Sequence, residues 1–227
     1  MPPRALSPSG LFLIDKPEGP SSFAIVADVR RRTGARTGHA GTLDPFATGL
    51  LLVLSGSATK LASCFVGLDK RYLTTVNLTA RTDTGDREGQ VVERLEPPDQ
   101  DDLERRLEAL RGEVELPIPA ASAVKVGGER AYRLHRRGVR LEMPLRRSRV
   151  DALDVISYSD GTARLDLRVS SGTYIRAIAA ALGGHCTTLR RTEVGPFRVE
   201  EADPERLIPA EEALARVGPP VAERGPT

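Results

Sequence analysis

The chain has no tryptophan, two methionines, two cysteines and three histidines in 227 residues, and aromatic residues make up 4% of it. Each shortage excludes something. Cys64 and Cys186 form neither a redox pair nor a disulfide framework, which fits a reducing compartment. His39, His135 and His185 have no spacing that gathers zinc, and Cys186 beside His185 does not supply the missing ligand. No apolar run approaches the roughly 18 residues of a membrane span. The N-terminal Met-Pro-Pro-Arg-Ala-Leu-Ser-Pro lacks the apolar centre of a signal peptide. No Gly-x-Gly-x-x-Gly follows the first expected strand, and Gly56-Ser-Ala-Thr-Lys60 lacks the second glycine of a phosphate-cradling loop. The expectation is a cytoplasmic protein with no membrane contact, no metal and no cofactor.

Lysine is scarce as well. Of 33 basic residues only Lys16, Lys60, Lys70 and Lys125 are lysine, and the rest are arginine. Arginine forks suit phosphate oxygens and stack on bases, although a genome biased toward arginine codons gives the same total. The clustering says more. Arg30, Arg31, Arg32 and Arg36 form one group, Arg130, Arg133, Arg136, Arg137 and Arg140 a second, and Arg146, Arg147 and Arg149 a third, apart from an acidic stretch between Asp99 and Glu108. With a net charge of only +2, the pattern describes either a polarised surface suited to nucleic acid or solvated helix faces.

One main domain over residues 10–217 is expected, between a tail at 1–9 and a second at 218–227. Leu11 to Asp15 reads as a buried strand. A helix follows, capped by Ser21 or Ser22, with Phe23, Val26 and Val29 at helical spacing and Gly34 at its end. Leu50 to Leu54 reads as a strand buried on both faces, Ala58 to Phe65 as a short helix, and Lys70 to Thr79 as an alternating strand. Arg81 to Gln90 reads as a surface turn before a strand at Val91 to Leu95, and Asp99 caps a helix bearing Leu103, Leu107 and Leu110. Pro117 and Pro119 break the chain before a strand at Ser122 to Val126, and Arg130 to Arg137 forms a basic helix closed by Gly138. Arg149 to Tyr158 and Ala163 to Val169 flank a hairpin signal, Ser159-Asp160-Gly161-Thr162. Thr173 to Leu182 is helix, Thr187 to Glu193 and Phe197 to Glu200 are strands, and Pro209 to Val217 is the last helix. These elements make an α+β protein with a mixed, mostly antiparallel sheet and helices packed on it.

The chemistry concentrates in Gly38-His-Ala-Gly-Thr-Leu-Asp-Pro45. Pro45 disfavours helical backbone at Asp44, and Gly38 and Gly41 free the loop to bend or to approach a bulky ligand. The same features fit an ordinary turn. Tyr72 opens a strand, where it serves as an aromatic platform or a core residue. The run from Ser171 to Arg176 passes through glycine into a helix, with Tyr174 and Arg176 in its first turn. An arginine there opposes the positive end of the helix dipole, a conflict resolved either by a buried carboxylate beside it, with Asp44 the candidate, or by exposure of the arginine to solvent.

Gly38 to Gly49 resembles the catalytic motif of the bacterial TruB-type tRNA pseudouridine(55) synthases. Four further segments fall in the matching order: Leu13 to Pro17 with Ser21-Ser22, Ala58-Thr-Lys60 with Asp69 to Tyr72, Arg81-Thr-Asp-Thr84, and Gly172 to Arg176 with Leu189-Arg-Arg191. The resemblance implies a pseudouridine synthase fold around a bent sheet, and an isomerase acting on uridine 55 in the T loop of tRNA. Asp44 would attack the ribose C1′ or abstract a ribose proton, Arg176 would pair with it, and Tyr72 would stack on the extracted uracil. Tyr174 would line the pocket, His39 would fill the space left in the RNA, and Leu189 would form a wall. Lys16 and Lys60 would support the site or contact phosphate. An isomerisation activates no water and moves no electrons, so the implied enzyme needs neither metal nor cofactor.

Two departures stand out: only 27 residues follow Glu200, too few for the C-terminal PUA-type RNA-binding domain of many members, and Leu182 to Leu189 is shorter than the family pattern. The expected partner is the T arm of tRNA, bound by a monomer with no protein partner. Two other readings use the same residues, an RNA-binding or tRNA-folding module without catalysis, and a nucleic-acid N-glycosylase.

Overall fold

The computed structural model describes residues 9–218, so apart from Ser9 and Gly218 the two expected tails lie outside the described residues. In chain order the strands and helices are β1 (Gly10–Lys16), α1 (Ser22–Thr33), β2 (Thr37–His39), β3 (Thr48–Ser55) and α2 (Ala62–Val66), the last preceded by a 3-10 turn over Gly56–Leu61. Then come β4 (Lys70–Asn77), β5 (Ala80–Thr82), β6 (Val91–Arg94), α3 (Gln100–Glu108), β7 (Gly112–Pro117), β8 (Lys125–Val126), β9 (Glu129–Arg130) and α4 (Ala131–Arg136). A long hairpin, β10 (Leu145–Ser159) and β11 (Thr162–Val169), leads to α5 (Ile175–Ala181) and β12 (His185–Val194). The chain closes with β13 (Phe197–Arg198), β14 (Asp203–Pro209) and α6 (Ala210–Val217). These fall into two compact units, one built from residues up to Lys70 and from Arg190 onward, the other from Arg71–Leu189.

In the first unit β1 lies antiparallel between β3 and β14, pairing Leu11 with both Leu54 and Ile208. Residues Arg190 and Arg191 of β12 run parallel to Thr48 and Gly49. Because β3 is covered on both faces, Leu50, Leu51 and Leu52 are wholly buried, which is why this strand reads as a continuous apolar run. Leu11, Leu13, Leu52, Leu54, Phe65 and Phe197 form its core. Full burial of each leucine contributes about 2 kcal/mol. Helix α1 starts where Ser21 accepts a hydrogen bond from the Ala24 amide at 3.2 Å, and it ends at Gly34 in left-handed conformation.

In the second unit β10 pairs antiparallel with β11 and β7. Ala163, Leu165, Leu167 and Val169 alternate along β11, all fully buried. Asp160 and Gly161 both take positive φ, 50° and 71°, as a two-residue hairpin requires. Helix α3 is capped by Asp99, whose carboxylate accepts from the Asp102 amide at 2.7 Å.

Several boundaries differ from the sequence expectation. Strand β7 occupies a segment read as leading into a proline break, and its glutamates Glu113 and Glu115 point outward. Strand β14 carries Pro204 and Pro209, which an outer strand tolerates because its proline positions need donate no ladder bond. The expected strand over Ser122–Val126 shrinks to two residues, and the 58–65 segment splits between a 3-10 turn and α2. Tyr174 is the cap residue of α5, not part of its first turn. Among the described residues no helix is long and apolar enough to cross a membrane.

Candidate active site

The Asp44 loop belongs to the first unit and begins inside regular structure, since Gly38 and His39 pair with Leu54 and Val53. From there its backbone is bonded at almost every step. The Ala40 amide donates to Leu52 O at 3.0 Å, and the Ala47 amide donates to Asp44 O at 3.1 Å. Arg191, 1% exposed, donates from Nη2 to Gly41 O (3.1 Å), from Nη1 to Thr42 O (3.4 Å) and from Nε to Leu50 O (2.7 Å). The Ser22 hydroxyl accepts from the Leu43 amide and donates to the Leu43 carbonyl, both at 2.8 Å. Lys16, with no exposed surface, directs Nζ at the carbonyls of Pro17 and Pro20 (2.8 Å each) and Pro45 (3.2 Å). Gly19 also donates to Pro45 O, at 2.9 Å. Asp44 itself stays half-buried at the surface of this scaffold.

Two further groups lie around the loop. Lys70 is buried and donates to Val66 O at 2.6 Å and to Leu68 O. Burial, and then the charge of Arg191, bring it down to about 8 against the opposing pull of Asp69. Gly41 marks where the two cations converge, because a Cβ there would stand 3.5 Å from Arg191 Nη1 and 4.0 Å from Lys70 Cε. His39 is half-buried with its Nδ1 buried and lacking a hydrogen-bond partner. Desolvation first, and Arg191 second, hold it below the usual histidine range. Lys60 sits exposed in the 3-10 turn.

The second unit holds Tyr72, Tyr174, Arg176 and Leu189. Tyr72 is buried in β4 and Leu189 in β12, strands that neighbour each other, while Tyr174 is half-buried at the start of α5. Arg176, 3% exposed, donates from Nη1 to Thr84 O (2.8 Å) and from Nη2 to Ala121 O (3.0 Å). Its Nη1 also lies 3.5 Å from the Asp86 carboxylate. Asp86 is held by the Thr84 hydroxyl at 2.7 Å and the Glu88 amide at 3.0 Å. The segment read as a surface turn thus wraps a buried arginine. Sequence reasoning asked for a carboxylate beside Arg176 and overlooked Asp86, whose only sequence signal was its place in a Thr-Asp-Thr-Gly-Asp turn. Arg191, counted among matching residues and given no role, is the second omission.

Residues 30–175 match the model of the TruB family pseudouridylate synthase (N terminal domain). The tRNA pseudouridine synthase B of Mycobacterium sp. (strain KMS) is 43% identical over 219 residues, covering 91% of this chain and 74% of the relative. That of Leifsonia xyli subsp. xyli is 44% identical over 230 residues, covering 91% and 76%. Among solved structures, a chain of a Cbf5-Nop10-Gar1 complex superposes with a TM-score of 0.64 at 26% identity, over 83% of this chain and 50% of that one. A crystal structure of a pseudouridylate synthase superposes with a TM-score of 0.51 at 17% identity, over 94% and 75%, a likeness of fold alone. The class is therefore an α+β protein with the pseudouridine synthase fold. Within that class, the chain belongs to the TruB family of pseudouridylate synthases.

Proposed function

We propose that the protein isomerises uridine 55 in the T loop of tRNA to pseudouridine, acting in the cytoplasm as a monomer, with Asp44 as the reacting carboxylate. The observation that supports this reading is the backbone of Gly41 to Pro45, where side chains hold the carbonyls of Gly41, Thr42, Leu43 and Pro45 around one half-buried aspartate. Asp44 acts at the ribose, as nucleophile at C1′ or as base. The N1 glycosidic bond breaks, the uracil turns, and C5 bonds to C1′ as Asp44 leaves C1′ or returns the ribose proton, while C5 loses its proton and N1 gains one. The target base must leave its stack first, and Tyr72 is assigned the stacking face, Tyr174 and Leu189 the pocket walls, and His39 the vacated place in the RNA.

In this reading Arg176 is assigned a role in catalysis, and Asp86 fixes the arginine. Lys60 is assigned to phosphate, whereas Lys16, shut from solvent among three carbonyls, is assigned to support of the loop.

The test uses a T-arm stem-loop tritiated at uridine C5. The wild type is expected to release tritium and to leave pseudouridine at one position by mass spectrometry, while Asp44→Asn binds the RNA and does neither. Binding without release by the wild type favours a non-catalytic RNA-binding module, and free uracil as product indicates an N-glycosylase.

A further inference from the structure

Three consecutive peptide planes lead into Asp44, and two side chains hold all three. The Gly41–Thr42 plane is held at its oxygen by Arg191 Nη2, and the Thr42–Leu43 plane at its oxygen by Arg191 Nη1. That second plane is held at its nitrogen by Ser22 Oγ, which also takes the oxygen of the Leu43–Asp44 plane. Apart from the Arg191 Nε bond to Leu50 O, the bonds of both side chains go to this loop. Ser21 already caps α1, so the Ser22 hydroxyl, 1% exposed, is not needed by the helix it begins. Arg191 is a long cation in a strand interior where an apolar side chain is the ordinary choice. Its guanidinium is satisfied there because Leu50, Thr42 and Gly41 turn their carbonyls toward it. The backbone of Arg191 is equally close to the loop's far end, since a Cβ on Gly49 would fall 2.2 Å from its carbonyl oxygen.

We infer that Ser22 and Arg191 are positioning residues for Asp44: together they set the Leu43–Asp44 peptide and so the direction in which the carboxylate leaves the chain. This rests on the reading that Asp44 reacts with the ribose. With the flanking planes fixed, Asp44 retains little freedom beyond its own side-chain rotations. A misplacement of about 1 Å at a reacting group can cost about 100-fold in rate. Neither side chain needs to touch the RNA.

The experiment measures Ser22→Ala and Arg191→Lys against wild type by single-turnover pseudouridine formation, by stem-loop affinity and by amide hydrogen exchange across residues 41–45. Lysine retains the charge at position 191 and removes the fork. The expected result for both variants is a rate constant lowered at least about tenfold, with affinity within about twofold, and faster exchange at the Leu43 amide in Ser22→Ala. If Arg191→Lys does not fold, Ser22→Ala decides. A Ser22→Ala rate within about twofold of wild type, or a loss residing wholly in affinity, overturns the inference. If the wild type makes no pseudouridine, the proposed function fails instead. The exchange data still judge whether Ser22 holds the Leu43–Asp44 peptide, and unchanged protection in Ser22→Ala overturns the inference.

Discussion

Arg176 Nη1 lies 3.5 Å from the Asp86 carboxylate, with the two side chains only 3% and 7% exposed. A buried arginine is tolerated only where its charge and its donors are met, and here the carbonyls of Thr84 and Ala121 complete what Asp86 begins. Asp86→Ala therefore takes a buried carboxylate away from this cation. The expected loss is about 3 kcal/mol, read as a lower urea midpoint. Asp86→Asn, which keeps the acceptor and removes the charge, is expected to fall between the two. Equal stability of Asp86→Ala and the wild type would contradict this account.

Lys70 gives a prediction in pH. Its native value is lowered from 10.5 to about 8, so from about 8 to 10.5 the unfolded chain holds a proton that the native protein has released. Stability rises with pH wherever the unfolded state binds more protons. Below about 8, the buried charge costs on the order of 3 kcal/mol, and the cost is relieved as pH rises through the window. Comparison with Lys70→Met cancels other titrations. The unfolding free energy of the wild type minus that of the variant should increase when pH is raised from about 7.5 to about 10. A flat or falling difference would show that the lysine is not held as described.

Two glycines of the Asp44 segment should respond differently to alanine. At Gly49, φ is 101° and a Cβ would fall 2.2 Å from Arg191 O and 2.8 Å from Arg191 N. Gly49→Ala is expected to cost about 3 kcal/mol or more. Gly38 has no heavy atom within 4 Å of a built Cβ, so Gly38→Ala should change stability by less than about 0.5 kcal/mol. Thermal melts of both variants check the contrast.

The basic helix α4 offers a test by salt. Arg133 and Arg136 stand 5.9 and 5.7 Å from the Tyr132 ring centre, and both are exposed. If each guanidinium neutralises one phosphate, the double replacement by alanine should flatten the log–log salt dependence of tRNA binding by about 1.4 to 1.8. An unchanged slope would assign these arginines to the protein surface alone.

What the sequence revealed divides along physical lines. Features set by neighbouring residues were legible: the Ser21 cap, the Gly34 stop, the Asp160-Gly161 hairpin and the apolar run of β3 each carry their cause within a few positions. Strand β7 was hidden because charged glutamates share its alternation and prolines close it, and β14 because its prolines read as breaks. Pro45 and the flanking glycines drew attention to Asp44 and the resemblance gave it a role, but neither could display the loop's bonding. Ser22, Lys16 and Arg191 reach that loop from distant segments, and a buried arginine looks in sequence like one more member of a surface cluster. Asp86 was misread for the same reason, since a turn rich in Asp, Thr and Gly is ordinarily exposed until an arginine from far along the chain fills it.

The bonds around Gly41 to Pro45 also decide when the entropy of ordering is lost. In a loose loop, the conformations surrendered to aim a carboxylate are surrendered again in every catalytic cycle, and the loss appears in the activation barrier. Here Ser22, Lys16 and Arg191 impose that order during folding. The loss then falls on the stability of the native state, once per molecule, and in the proposed reaction RNA arriving at Asp44 would meet a group that is already aimed.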